Sequence, residues 1–374
     1  SRGSGPDEVK RWMGAAGFAT RSRAWSKGQN CDIKTAMRPT KTSVELPPQE
    51  ARDKYLAHRK TELSDASLYS HKSRLGHFVE WCQKNDIEAI SELQPHHLQD
   101  YRVWREQDDL SVVTLNTQLS TLRVFLKWAE DYGAAPPGLH ERVRVPERED
   151  DARSDTIAPG RAEDILEYCE MYEYATKYHA LFKLLWDSGI RIGAARAIDL
   201  DDFHPDEEYV EICHRPESDT PIKNQKQGER PIALSSDTVE VLSDYIEARR
   251  PDVTDRHGRE PLIASTQGRP HVQTFRKWVY HVARPCWYNG GECPHGRELS
   301  DCDAASSSDH THECPSSFSP HSVRRGSITR YLADGVYNKY VSDRMNVGID
   351  TIEKHYDQRT PEQKMENRKE YFKK

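Results

Sequence analysis

The chain has 374 residues, 35% of them hydrophobic and 31% charged, with a formal net charge of −7. That length supports two or three domains with cores of their own, and a mean hydropathy of −0.90 with no long apolar run excludes a membrane-spanning helix. The acidic balance means that any contact with nucleic acid depends on local clusters of Lys and Arg rather than on their sum.

In chain order, residues 1–46 are rich in Lys, Arg, Ser and Gly without apolar periodicity, and read as a basic, flexible arm with one short helix near 7–16. Residues 47–136 read as a helical domain. Pro47 and Pro48 suit a helix start, and Ser64 is an N-cap for a second helix whose Leu68, Leu75, Phe78, Val79 and Cys82 recur at helical spacing. Leu115, Leu119, Leu122, Leu126 and Ala129 form another stripe, closed by Gly133 and stopped by Pro136 and Pro137. The outcome is a bundle of about four helices.

Residues 137–159 carry charges but no stripe, and read as a linker. From 160 to 374 the pattern is mostly helical. Helices are expected over about 161–175, then over a segment ending "LFKLLWDSG", then over 237–249, 271–284, 321–333, 337–346 and 349–356. "EYVEICHRP" and "ERPIALS" alternate as two strands around the polar loop "ESDTPIKNQKQG", which marks a hairpin and a small antiparallel sheet.

Of eight cysteines, Cys31, Cys82, Cys169 and Cys213 stand alone and read as inert thiols, in keeping with a cytoplasmic protein. Cys286, Cys293, Cys302 and Cys314 fall within one insertion, 285–315, with His295, His310 and His312 as competing ligands. Their spacing is not that of a common zinc finger. Yet a loop so rich in Ser, Gly and Asp has little apolar matter to order it, and a structural zinc would do so. The bland alternative is a floppy insertion with free thiols.

Three short segments carry chemistry. "SGIRIGA" sets Arg191 at a helix start, "SPHSVRRG" sets His321 and Arg324 on one face of a first helical turn, and "TIEKHYD" carries Tyr356. Taken singly, each is most simply a surface or capping residue. Together, in this order, they resemble the motifs of the tyrosine recombinases, or phage-integrase family, over residues 48–374. The resemblance implies a mainly α protein. Its N-terminal helical core-binding (SAM-like) bundle would precede an α+β catalytic domain with a small antiparallel sheet. The implied activity is site-specific DNA recombination through a 3′-phosphotyrosine.

In that reading Arg191 and Arg324 clamp the non-bridging phosphate oxygens, where guanidinium groups stabilise the charge that builds during cleavage. His321 donates to the phosphate or takes the tyrosine proton, and Tyr356 attacks phosphorus. The family's general acid is a lysine on the β-hairpin loop. Lys223 is preferred and Lys226 is the alternative. The bond energy stays in the covalent link, so no cofactor is expected for catalysis.

Two positions depart from the family pattern. Ala194 stands where an acidic residue is usual, and Val347 where a His or Trp donor is usual, so Asn346 or another group must substitute or the enzyme is slow.

The expected partner is double-stranded DNA, contacted by Lys72, Arg74, Arg123 and Lys127 of the first domain and by Lys226, with His71 and Asn116 also in reach. A homo-tetramer on two sites is implied, docked through the tail "PEQKMENRKEYFKK". The acidic total suits an archaeal, halophilic source, on a mobile element. Two rival readings are a recombinase-like DNA-binding protein with a decayed site, and a monomeric type IB topoisomerase.

Overall fold

A computed structural model describes residues 44–147, 156–357 and 359–372. It divides into two compact units, Ser1–Glu149 and Asp150–Lys374. The expected helix at 7–16 and Cys31 lie outside the described residues.

The first unit is helical: α1 (Pro48–Arg59), α2 (Asp65–Lys84), α3 (Pro95–Glu106) and α4 (Val112–Asp131). Ser64 caps α2 by accepting from the Ser67 amide, and Ser111 caps α4 by accepting from that of Thr114. Leu75, Phe78 and Cys82 of α2 meet Leu115, Leu119, Leu122 and Leu126 of α4 in one core, Val79 is buried as well, and Leu68 is half-buried. Gly133, at φ 82°, ends α4 in the left-handed region that glycine adopts at least cost.

Two segments read as unstructured are folded here. Leu46, placed in the arm, is buried, and its carbonyl accepts from the Ile90 amide at 2.9 Å. Leu139 and Val143, placed in the linker, are buried beside α4, where Glu130 accepts from the amides of Gly138 and His140. Two apolar residues four apart make no stripe, so periodicity could not mark them.

The second unit joins α5 (Pro159–Tyr172), α6 (Lys177–Ser188) and α7 (Ile192–Ala197) to a three-stranded antiparallel sheet. The sheet runs in sequence order, β1 (Phe203–His204), β2 (Tyr209–Ile212) and β3 (Arg230–Ala233), with Val210 opposite Ile232. Then come α8 (Ser236–Ala248), α9 (Val272–Val282), the short α10 (Pro285–Tyr288) and α11 (Asp303–Ser306), and α12 (Pro320–Ala333), α13 (Asn338–Met345), α14 (Ile349–His355) and α15 (Pro361–Phe372). The protein is thus mainly helical with a small antiparallel sheet. Helix α6 is the core element: Leu181, Phe182, Leu184, Leu185 and Trp186 are all buried, as suits a helix apolar all round. No described helix is long and apolar enough to cross a membrane.

Candidate active site

Four separate segments meet at one cleft of about 450 Å³, lined by Arg191, Lys223, His321, Arg324 and Tyr356 together with Asn224, Arg325, Asn346, Val347, Thr351 and His355. All five residues assigned catalytic roles from sequence are therefore brought together. Among the described residues no Asp or Glu lines the cleft. In a chain of net charge −7, this is a concentrated cationic pocket, the electrostatic setting for a phosphate.

Each side chain is held by a local device. α6 stops at Gly189 (φ 61°), and Arg191 is the N-cap of α7, its carbonyl accepting from the amides of Ala194 and Ala195. Ser319 and Ser322 form a reciprocal capping box with Pro320 as the first helical residue of α12. That box fixes His321 in the first turn and Arg324 one turn on. Tyr356 is the C-cap of α14, and its amide donates to the Ile352 carbonyl at 2.9 Å.

Arg324 is 3% exposed. Its guanidinium donates to the carbonyls of Gly189 and Met345, both at 2.6 Å. Burial, with the neighbouring guanidinium of Arg191, pushes its pKa down to about 9, so it remains a cation at neutral pH. Arg191 is half-buried and also pushed down by burial, with Tyr356 opposing. Among the described residues neither arginine pairs with a carboxylate. Ala194, where an acidic residue was the family expectation, is buried instead.

The turn beneath Arg324 is tied in place from three sides. Arg344 donates to the Ala233 carbonyl and to Asp187, and Arg230 donates to the Arg344 carbonyl at 2.7 Å. Asn346 then takes the left-handed conformation (φ 49°), and its Oδ1 accepts from Asn224 of the hairpin loop at 3.0 Å. Val347 follows in the cleft wall and brings no side-chain donor. Arg230, Gly189 and the Met345 carbonyl were not anticipated from sequence. A backbone acceptor carries no residue-type signal, and Arg230 reads simply as a strand residue.

The hairpin loop separates the two candidate lysines. Lys223 lines the cleft, while Lys226 is exposed in the 3₁₀ turn Gln225–Gly228 and does not. A Cβ on Gly228 would lie 2.6 Å from the Lys223 carbonyl and 3.1 Å from Asn346 Nδ2. Gly228→Ala must therefore shift the Lys223 backbone. It should lower DNA cleavage by about 10²-fold, the cost of an ångström-scale misplacement, while duplex binding by gel shift stays within a few-fold.

His321 is solvent-exposed, yet its pKa is lowered, by partial burial of the ring and then by Arg325, Arg324, Arg191 and Lys223. It is therefore neutral at pH 7, fit to accept a proton. In the free protein its NMR titration should fall below the ordinary value of about 6.5, and it should move up when a bound phosphate offsets the surrounding cations. An unchanged midpoint on adding DNA would remove His321 from the phosphate site.

In the first unit Lys72 and Lys127 are exposed. Arg74 donates to Thr121 Oγ1 at 3.3 Å, and Arg123 donates to the Val143 carbonyl. Asn116 donates to the Pro146 carbonyl at 2.7 Å, and His71 hydrogen-bonds the Tyr55 hydroxyl at 3.0 Å. Of the residues assigned to DNA here, the two lysines are the ones not engaged in such internal hydrogen bonds.

Of the competing histidines, His295 Nε2 is hydrogen-bonded to Ser316 Oγ at 2.9 Å and His310 pairs with Glu313 at 2.7 Å, so these two are held by polar partners. Among the described residues one group, Asp202, Glu211 and Cys213, has ligand atoms within 4.8 Å of one another. Arg215 already donates to both Asp202 oxygens, at 2.6 and 2.8 Å, and supplies the cation there.

Two family models match the chain. The phage integrase N-terminal SAM-like domain matches residues 53–133 and the phage integrase family matches residues 156–362. Tyrosine recombinase XerC of Pseudomonas syringae pv. syringae (strain B728a) is 26% identical over 170 residues, 43% of this chain and 54% of that protein. The chain thus spans about half the length of the curated relatives it matches. The Tn1549 transposon integrase in complex with a circular intermediate DNA has a similar fold, with a TM-score of 0.63 at 14% identity over 87% of this chain and 99% of that one. A lambda integrase dimer bound to a COC' core site gives 0.58 at 14% identity, over 84% and 77%.

Proposed function

Because the chain belongs to the phage integrase family, we propose that it is a site-specific DNA recombinase that cuts and rejoins duplex DNA through a 3′-phosphotyrosine at Tyr356. Tyr356 Oη forms a bond to phosphorus as the bond from phosphorus to the 5′-oxygen breaks. The phenol proton passes to neutral His321, and Lys223 supplies a proton to the departing 5′-oxygen. Arg191 and Arg324 neutralise the non-bridging oxygens as charge builds. The phosphotyrosine keeps the energy of the broken bond, so religation to a 5′-hydroxyl reverses the step without ATP or a metal.

The observation that carries this reading is the carboxylate-free cleft in which two guanidinium groups, a lysine, a histidine and a tyrosine converge. Lys72, Arg74, Arg123, Lys127 and Lys226 are the proposed phosphate contacts outside it. Lys72 and Lys127 are ranked first because they are exposed without an internal hydrogen bond. A tetramer on two DNA sites, docked through α15, is the proposed working assembly. An archaeal mobile element in a cytoplasmic setting is the proposed context, supported by the acidic composition.

A duplex nicked near the cleavage point tests the activity, since loss of the short fragment prevents religation. A covalent adduct mapped by mass spectrometry to Tyr356 is the expected result. Val347 in the cleft wall favours one rival, a DNA-binding protein without strand-transfer activity. Tight binding with no adduct would support that rival and end the recombinase proposal.

A further inference from the structure

Residues 285–315 interrupt the connection between α9 and α12, and only Cys302, Ala304 and Thr311 among them are buried. Ordering a residue costs about 1–2 kcal/mol of backbone entropy. Trp287 and Tyr288 of α10 pack partly buried against the core, but beyond them three small buried side chains offset little of that cost, so the compact course of residues 289–315 calls for another source of stability.

Its backbone brings four cysteines together. The Cys293 carbonyl accepts from the Gly296 amide at 3.1 Å, closing a Cys-Pro-His-Gly turn with Gly296 at φ 65°. The Cys314 carbonyl accepts from the Ser317 amide at 2.8 Å, closing a Cys-Pro-Ser-Ser turn. His295 and Ser316 join these two turns through their side chains, at 2.9 Å. Arg284, just ahead of Cys286, is buried and donates to the carbonyls of Ala304 and Ala305, just beyond Cys302. Arg161 donates to the carbonyls of Ala283 and Ser316, at 2.6 and 2.7 Å, setting the start of α10 beside the Cys314 turn. None of the four cysteines forms a disulfide.

We propose that Cys286, Cys293, Cys302 and Cys314 bind one zinc ion as a tetrahedral tetrathiolate site that is structural rather than catalytic. No three of the sulfurs lie within 4.8 Å of one another. Metal–sulfur bonds of about 2.3 Å set tetrahedral sulfurs roughly 3.8 Å apart, so the ion would draw inward turns that hydrogen bonds already hold side by side. Soft thiolates select zinc over the hard cations magnesium and calcium. Binding releases the thiol protons and leaves a dianionic centre, for which buried Arg284 is the nearby counter-charge. His295 and Arg161 are positioning residues for the turns, not ligands. Because Cys314 lies shortly before the Ser319 cap of α12, the ion would anchor the entry to the helix that carries His321 and Arg324.

The test uses the full chain, purified without chelator, with metal content measured by mass spectrometry. One zinc per chain is expected. Cys286→Ser and Cys302→Ser should each lose it, whereas Cys213→Ser and Tyr356→Phe should retain it. Should the cysteine variants fail to fold, cobalt(II) titrated into metal-free wild type decides the matter through a sulfur-to-metal absorption band that saturates at one equivalent. Absence of both zinc and that band overturns the proposal. So does zinc that survives both cysteine changes or departs with Cys213→Ser, and so does iron in place of zinc. The measurement is independent of the DNA adduct, so failure of either reading leaves the other standing.

Discussion

Tyr356→Phe is expected to abolish the covalent DNA adduct, with a rate loss on the order of 10⁶-fold, as when other enzymes lose a nucleophile. The ring is 6% exposed and packs with Ile328, Leu332, Val341, Met345 and Ile352. Phenylalanine keeps that packing, and the Arg325 guanidinium carbon, 5.9 Å from the ring centroid, keeps an aromatic face. Melting temperature and DNA affinity should therefore stay near wild type while the adduct band disappears from a denaturing gel. An adduct that persists in the variant would assign the nucleophile to another residue.

The second large effect separates the two arginines. Arg191→Gln and Arg324→Gln should each lower cleavage by about 10²–10³-fold, as loss of one donor to a developing oxyanion does. Their stabilities should differ. Arg324 satisfies the buried carbonyls of Gly189 and Met345, so its loss should cost about 1–3 kcal/mol in a denaturant titration. Among the described residues Arg191 makes no such contact. It is a like charge beside both Arg324 and Arg230, whose pKa values it lowers. Arg191→Gln should leave stability unchanged or raise it. That combination, lost activity with retained or improved stability, marks a charge kept for a ligand. A destabilised, fully active Arg191 variant would make the residue structural.

The contrast also shows what orients Arg324 where Ala194 replaces a carboxylate. With no carboxylate at that position, Arg324 is oriented by backbone carbonyls, which bring partial rather than full negative charge. The cleft therefore keeps its cationic field. The same economy appears at Val347: the donor is missing from its side chain, and Asn346, held against Asn224, lies next to it in the cleft.

The helices, their caps and most of their buried faces were legible in the residues. A stripe at helical spacing, a Ser at an N-cap and a Gly at positive φ act within a few positions of one another. Ser64 ahead of α2 and Gly133 behind Ala129 are of this kind. Segments stabilised by a few long-range contacts were not legible: Leu46 against Ile90, and Leu139 under the carboxylate of Glu130. The identities of Arg191, His321, Arg324 and Tyr356 could be proposed because their motifs and order resemble those of the tyrosine recombinases.

That those residues share one cleft was a matter for the tertiary structure, because Arg191 lies 130 positions before His321, and Tyr356 another 32 beyond Arg324. The sequence reading preferred Lys223 to Lys226, and packing brings Lys223, not Lys226, to the cleft wall, beside a Gly228 whose missing side chain lets the loop approach Asn346. Likewise the carbonyls of Gly189 and Met345 meet at Arg324 only because a glycine at α6's end admits the Met345 side chain, whose Cε a Cβ at Gly189 would approach to 2.5 Å. Local chemistry wrote the elements and the reactive groups; long-range sterics chose which groups face one another.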